Sequence, residues 1–277
     1  MSYSIAHDEN VDAAIRRIAD EQIARAREQL TDHKLPREKR VHEARKRFKE
    51  TRALLRLVRE PLGDHFAEEN ASFRDAGREL ATARDADAVI EALDQLELPR
   101  AIRNRVRRRL HARKSADAPL AELIQRTLQQ LTVAQTRIAQ WPSMDDSFAT
   151  LVPGLMRTYR EGRRAMRRAK SAEELHEWRK HVKTHWYHVL LLRESWPGMA
   201  KALASELHDL SDALGHHHDL DVLRGLAGDV PELVTAIDDR QRTMEHEAHE
   251  LGARIFAEKP NAWLARMRNV WKAWKER

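Results

Sequence analysis

A cationic segment that occurs twice is the feature that most constrains how this chain can fold. The first copy is residues 41–60, VHEARKRFKETRALLRLVRE, and the second is residues 175–192, LHEWRKHVKTHWYHVLLL. Five polar residues recur at one constant offset, so that His42, Glu43, Arg45, Lys46 and Lys49 match His176, Glu177, Arg179, Lys180 and Lys183. A repeat of this kind predicts two related elements of the same structure.

The first copy has the pattern of an amphipathic helix with an almost purely cationic polar face. At about 100° per residue, one side carries His42, Arg45, Lys46, Lys49, Arg52 and Arg56. The opposite side carries Val41, Ala44, Phe48, Thr51, Leu55 and Val58. Like charges at (i, i+4) cost a few tenths of a kcal/mol per pair. Two helices that tolerate this repulsion indicate an external polyanion as the partner.

The composition favours a helical protein with a real core. The 277 residues are 42% hydrophobic and 34% charged, with only 5% aromatic residues and few Gly and Pro, and no segment alternates as a strand would. The absence of cysteine excludes a disulfide framework, a thiolate metal site and a cysteine nucleophile. The N-terminus lacks a signal-peptide pattern and no apolar run reaches about 18 residues, so we expect a cytoplasmic protein.

A second motif repeats in register with the first. Asp85 and Asp87 fall on Asp219 and Asp221 at the offset that relates the histidines, which indicates an internal duplication. The sequence therefore predicts an all-α protein of two tandem bundles with about four helices each, residues 1–142 and 143–277. It also predicts that one helix ends near Gly215 and that Asp-x-Asp caps the next helix.

These motifs together resemble the CHAD family, the conserved histidine α-helical domain. The carriers are VHEARKRFKETRALL with ARDADAVIEAL, and LHEWRKHVKTHWYHVLLL with HHDLDVLRGL, and the resemblance extends over about residues 11–274. It implies two bundles related by a pseudo-two-fold, forming one CHAD domain with a basic groove. It further implies binding of inorganic polyphosphate.

The resemblance also implies which side chains line the groove. One wall would carry His42, Arg45, Lys46, Lys49 and Arg52, with Arg56 on the same face, and the other His176, Arg179, Lys180 and Lys183. Trp186 stands where the first copy has Arg52, so no phosphate contact is transferred there. Arg160, Arg163 and Arg167, just before the second copy, are predicted as further polyphosphate contacts.

The residues expected at the head of each cationic face are histidines. Nearby cations discourage protonation of His42 and His176, while a bound phosphate favours it. We therefore expect affinity to rise as pH falls through about 6.5. Phosphate contact and a purely structural role for this pair both stay open at this point.

Three functions compete on the sequence alone. The first is non-catalytic polyphosphate binding, with association to polyphosphate granules, no cofactor and no metal. No Glu-x-Glu-x-Lys motif of a triphosphate-tunnel domain is present, which favours a stand-alone binding module. The second is nucleic-acid binding, which would need aromatic side chains among the cations. The third is a metal-dependent phosphohydrolase using the cluster His216, His217, His218, Asp219 and Asp221. The first copy lacks those histidines, which favours the cap interpretation of Asp-x-Asp.

Overall fold

A computed structural model of the chain describes residues 3–80, 85–112 and 120–277. Every regular element in these ranges is helical, which confirms the all-α prediction. The α-helices are α1 (Val11–Thr31), α2 (Arg37–Leu57), α3 (Arg59–Leu62), α4 (His65–Glu79), α5 (Asp85–Asp94), α6 (Arg100–Ala112), α7 (Leu120–Ile138), α8 (Phe148–Arg168), α9 (Ala172–Leu191), α10 (Pro197–Ala227), α11 (Pro231–Ile255) and α12 (Pro260–Lys275). None of the described helices combines the length and apolarity needed to cross a membrane.

Local signals in the sequence fix where two of the helices begin. The Asn10 side chain accepts hydrogen bonds from the backbone N–H groups of Asp12 (2.9 Å) and Ala13 (3.4 Å) at the start of α1. Before α9, Ser171 and Glu174 form a reciprocal capping box. Because the cap sets the first turn of α9, it also sets the phase of the cationic side chains that follow.

The main core combines helices from both halves of the sequence. Its buried members include Phe48 and Leu54 of α2, Leu155 of α8 and Trp178 of α9. The ring nitrogen Nε2 of His188 lies 2.8 Å from the carbonyl oxygen of Ala53, which ties α9 directly to α2.

A glycine permits the close approach of α8 to the end of α2. A Cβ atom built on Gly154 would lie 2.0 Å from the carbonyl oxygen of Leu57. No other residue type fits against a backbone at that distance. The position therefore fixes how α8 crosses the first cationic helix.

A smaller core joins α5 and α6 of the first half to α10 and α11 of the second. Leu93 and Leu110 from the first half are buried in the same cluster as Leu223 and Ile237 from the second. Apolar packing thus continues across the proposed boundary between residues 142 and 143. The division into two repeats and their pseudo-two-fold relation stay predictions.

The predicted helix end near Gly215 is wrong, because α10 continues from Pro197 to Ala227. Its buried side changes along the helix: Leu207 and Leu214 join the main core, whereas Leu223, about half a turn round the axis from Leu214, joins the smaller core. A glycine inside a helix costs only about 1 kcal/mol relative to alanine, and packing on both sides of Gly215 outweighs that cost. Asp219 therefore lies inside α10 and caps nothing. The side chains of residues 85–87, the matching motif, lie outside the described part.

Candidate functional site: a basic groove between two helices

The first cationic face forms because α2 buries its apolar side against the core. Val41, Ala44 and Phe48 are 2% exposed or less, so the residues between them point outward. Arg45, Lys49, Arg52 and Arg56 follow one another on the outward side over about 16 Å of helix axis, at 1.5 Å per residue. We call these four residues the α2 face.

The second cationic face forms in the same way on α9. Leu175, Trp178 and Val182 are buried, while His176, Arg179, Lys180 and Lys183 lie on the other side of the helix. We call these four residues the α9 face. Lys180 also contacts the neighbouring carboxylate of Glu177, an exposed pair one turn apart.

The two faces open onto one basic groove with a volume of about 590 Å³. Its lining consists of Arg45, Lys49, Arg52, Arg56, Phe73, Arg74, Gly77, Arg78, His176, Arg179, Lys180, Lys183, Thr184 and Tyr187. At the contact between the helices, Nη1 of Arg56 donates to Oγ1 of Thr184 at 3.0 Å. Among the described lining residues there is no carboxylate, so a positive potential is concentrated between low-dielectric walls.

Helix α4 supplies two cations that the sequence reasoning missed. Arg74 and Arg78 stand one turn apart and face the groove beside the α2 face. Asp75 pairs with Arg74 at 2.8 Å and reaches Arg78 at 4.0 Å, and Arg74 lowers the pKa of this carboxyl group. The (i, i+4) arginine spacing was a usable signal. Only tertiary packing shows that α4 stands next to α2.

Repulsion within the groove is visible at Arg52. Burial lowers the pKa of its guanidinium to about 10, with further contributions from Arg56, Arg74 and Arg78. Its Nε donates to Oδ1 of Asn70 at 3.1 Å, a neutral partner, while the carboxylate of Asp75 offsets part of the lowering. A bound anion would relieve this repulsion.

Lys183 is in a similar position on the opposite wall. Burial lowers its pKa, and the nearby charges of Arg179 and Lys46 add to the effect. Its ammonium lies 5.0 Å from the centre of the Trp186 ring. Trp186 therefore supports a groove cation through a cation–π contact, at the position where the first copy has an arginine.

His176 lies in the groove and stacks against a histidine of α10. The ring centres of His176 and His218 are 4.0 Å apart. Burial lowers the pKa of His176 to about 4, and His218, Lys180 and Arg179 contribute in that order. Burial also lowers the pKa of His218. Two touching imidazoles in a cationic site do not both ionise without an anion.

Other predicted contacts lie outside the groove lining. Lys46 is partly buried and close enough to Lys183 to affect its pKa, and His42 is partly buried on α2. Arg163 donates through Nε to the carbonyl of Phe256 at 2.9 Å and is not part of the groove lining. Arg160 and Arg167 are exposed and do not join the lining either. A role for these five in binding stays a prediction.

The side chains of the His216–Asp221 segment point to different neighbours because they wind round α10. Nε2 of His217 lies 2.9 Å from Glu245 on α11, whereas His218 stacks on His176 of α9. Among the side chains that the structure describes, in residues 3–80, 88–112 and 120–277, no three His, Cys, Asp or Glu are grouped as metal ligands. The phosphohydrolase alternative stays a hypothesis.

The architecture and the groove define a class: all-helical bundle proteins with a polybasic cleft between two packed helices. The family model of the CHAD domain matches residues 12–228, and the chain therefore belongs to the CHAD family. This confirms the resemblance found in the sequence. The crystal structure of the CHAD domain from the plant Ricinus communis is similar, with a TM-score of 0.53 and 18% identity over 99% of this chain and 95% of that chain. At that identity the likeness establishes the fold. A comparison with curated proteins gives no match.

Proposed function

We propose that the basic groove binds inorganic polyphosphate and that the protein is a binding module without catalytic activity. The observation that carries the proposal is the convergence of α2, α4 and α9, whose arginines and lysines line one cleft without a carboxylate among the described lining residues. A condensed phosphate chain carries charge along its whole length. Cations repeated at every helical turn, about 5.4 Å apart, suit such a ligand.

The chemistry of the lining favours a phosphate chain over a nucleic acid. Arginine forks hold two phosphate oxygens, and lysines follow a flexible chain as point charges. Binding of single strands would require exposed aromatic faces for base stacking. Phe73 and Tyr187, the aromatic residues of the lining, are each only 2% exposed. The groove therefore offers charge but no stacking platform.

Release of electrostatic strain and of counterions provides the driving force. The lowered pKa values of Arg52, Arg56 and Lys183 report groups whose charged forms are penalised in the free protein. A polyanion replaces this penalty with attraction, and each neutralised charge contributes a slope of roughly 0.7 in log K against log salt for a flexible strand. Engagement of about six groove cations gives a slope near −4.

A competition titration tests the proposal directly. Long-chain polyphosphate, single-stranded DNA and double-stranded DNA are compared at equal phosphate concentration and equal salt, with phosphate release followed in the presence of Mg²⁺ or Mn²⁺. We expect polyphosphate to bind most tightly, with a steep salt dependence and no phosphate release. Tighter binding of either DNA, or turnover of the polyphosphate, would reject the proposal.

Charge reversal locates the binding site. Reversal of Arg45 and Lys49 to Glu, or separately of Arg179 and Lys183, should each weaken binding by about tenfold or more, since hydrogen bonds to charged groups contribute about 1.5–3 kcal/mol each. The matched control reverses Arg105 and Arg108, which are exposed on α6 outside the groove. It changes the net charge equally. Equal losses in all three variants would show that net charge, and not the groove, determines affinity.

We also propose a cytoplasmic location at polyphosphate granules. The groove supports this because a granule presents many phosphate chains to one basic surface. A fluorescent fusion should colocalise with stained granules, and the Arg45/Lys49 reversal should disperse it while the Arg105/Arg108 reversal should not.

A further inference from the structure

A glycine sits inside the long helix α10 where it contacts the α9 face. A Cβ atom built on Gly215 would lie 2.9 Å from Nη2 and 3.0 Å from Nε of Arg179. Gly225 of the same helix is different, since a Cβ there would meet nothing within 4 Å. Glycine weakens a helix relative to alanine. At position 215, however, the missing Cβ leaves the space that the Arg179 guanidinium occupies.

The space left by Gly215 is occupied by a guanidinium in a defined orientation. Nε of Arg179 donates to the carbonyl oxygen of Ser211 at 3.1 Å. Ser211 is fully buried, so this acceptor lies on the packed side of α10. Arg179 also lines the basic groove. Its guanidinium is thus held against α10 by one edge while the side chain faces the groove.

We propose that Gly215 is a positioning residue, which lets Arg179 rest on α10 with Nε bound to Ser211 and so holds its guanidinium ready for a phosphate group. This inference rests on the proposed function. An arginine that is ordered before binding loses less conformational freedom when the ligand arrives. A methyl group at position 215 would displace the flexible end of Arg179 without disturbing the helix.

Four proteins test the proposal by polyphosphate titration: the Gly215→Ala, Arg179→Ala and doubly substituted variants, with Gly225→Ala as the matched control. We expect about tenfold weaker binding for Arg179→Ala, the loss of one charge-assisted contact. Gly215→Ala should also weaken binding and should reduce the slope of log K against log salt by up to about 0.7. In the Arg179→Ala background, Gly215→Ala should have no further effect, because neighbouring residues that act through one contact are not additive.

A spectroscopic measurement reports the position of Arg179 without any ligand. In wild-type protein and in Gly225→Ala, the Nε–H signal of Arg179 should be protected from exchange by the Ser211 carbonyl. In Gly215→Ala this protection should be lost.

Two results separate the possible failures. Wild-type affinity and an unchanged Nε–H signal in Gly215→Ala would overturn the positioning role, as would an undiminished effect of Gly215→Ala in the Arg179→Ala background. A wild-type protein that fails to bind polyphosphate would reject the proposed function, and the Nε–H signal would still decide whether Gly215 holds Arg179.

Discussion

The protonation state of His176 predicts that the proposed binding of polyphosphate depends on pH. In the free protein the pKa of this imidazole is lowered to about 4 from an ordinary 6.5, chiefly by burial and then by His218, Lys180 and Arg179, while Glu177 acts in the opposite direction. Between these two pH values His176 is uncharged although it lies in a groove lined by arginines and lysines. A phosphate beside the ring would favour the protonated form.

The direction and size of the effect follow from that shift. If bound phosphate returns the pKa to 6.5, binding takes up a proton, and affinity rises as pH falls from 6.5 to about 4. Affinity at about pH 5 would be about 30-fold higher than at about pH 8, because His176 is then almost unprotonated in the free protein and almost fully protonated in the complex. Solvent exposure of the ring makes this an upper value.

Calorimetric titration measures the effect. Wild-type protein and His176→Gln are titrated with long-chain polyphosphate at about pH 8 and about pH 5, each in two buffers of different ionisation enthalpy. We expect wild-type protein to take up close to one proton near pH 5, and His176→Gln to lose both this uptake and most of the gain in affinity. A pH dependence that survives unchanged in His176→Gln would refute the reasoning, since it would belong to the ligand or to other groups.

Three further predictions concern the fold that supports the groove. His185 is 1% exposed, its pKa is lowered to about 3, and neither ring nitrogen has a hydrogen-bond partner among the described residues. The unfolded chain therefore binds more protons than the folded protein, so stability falls as pH drops from 6.5 towards 3. In urea titrations, His185→Leu should add about 1 kcal/mol of stability at neutral pH and flatten this loss at low pH. Arg137→Ala should lower the free energy of unfolding by about 3–5 kcal/mol in the same assay, because the buried carboxylate of Glu69 loses its hydrogen bonds of 2.8 and 3.0 Å to the guanidinium. A loss below about 1 kcal/mol would show that the ion pair is solvated. Gly154→Ala should lower stability by about 3 kcal/mol, since the new methyl group meets a backbone carbonyl of α2, and an unchanged thermal midpoint would contradict that close approach.

Much of the site was accessible from the sequence because helical periodicity is a local property. Arg45, Lys49, Arg52 and Arg56 share a face through their spacing alone, and most of the buried residues of α2 are apolar. The same holds for the second copy.

Two linked expectations failed where a local signal competed with packing. Gly215 was read as a helix end, but buried residues on both sides of it keep α10 intact. Asp219 was accordingly read as part of a helix cap, and it lies inside α10 instead. Within that helix, winding directs His217 towards α11 and His218 towards α9.

The sequence by itself determined that this chain is helical, that it belongs to a recognisable family and that two of its helices each carry a row of cations. It did so because side-chain phase within a helix depends only on residue spacing. Tertiary packing decided that those rows meet in one groove and that α4 adds Arg74 and Arg78 to it. It also decided that Arg179 packs against Gly215. Such contacts join residues far apart in the chain, and they depend on which surfaces fit together when the apolar faces are buried.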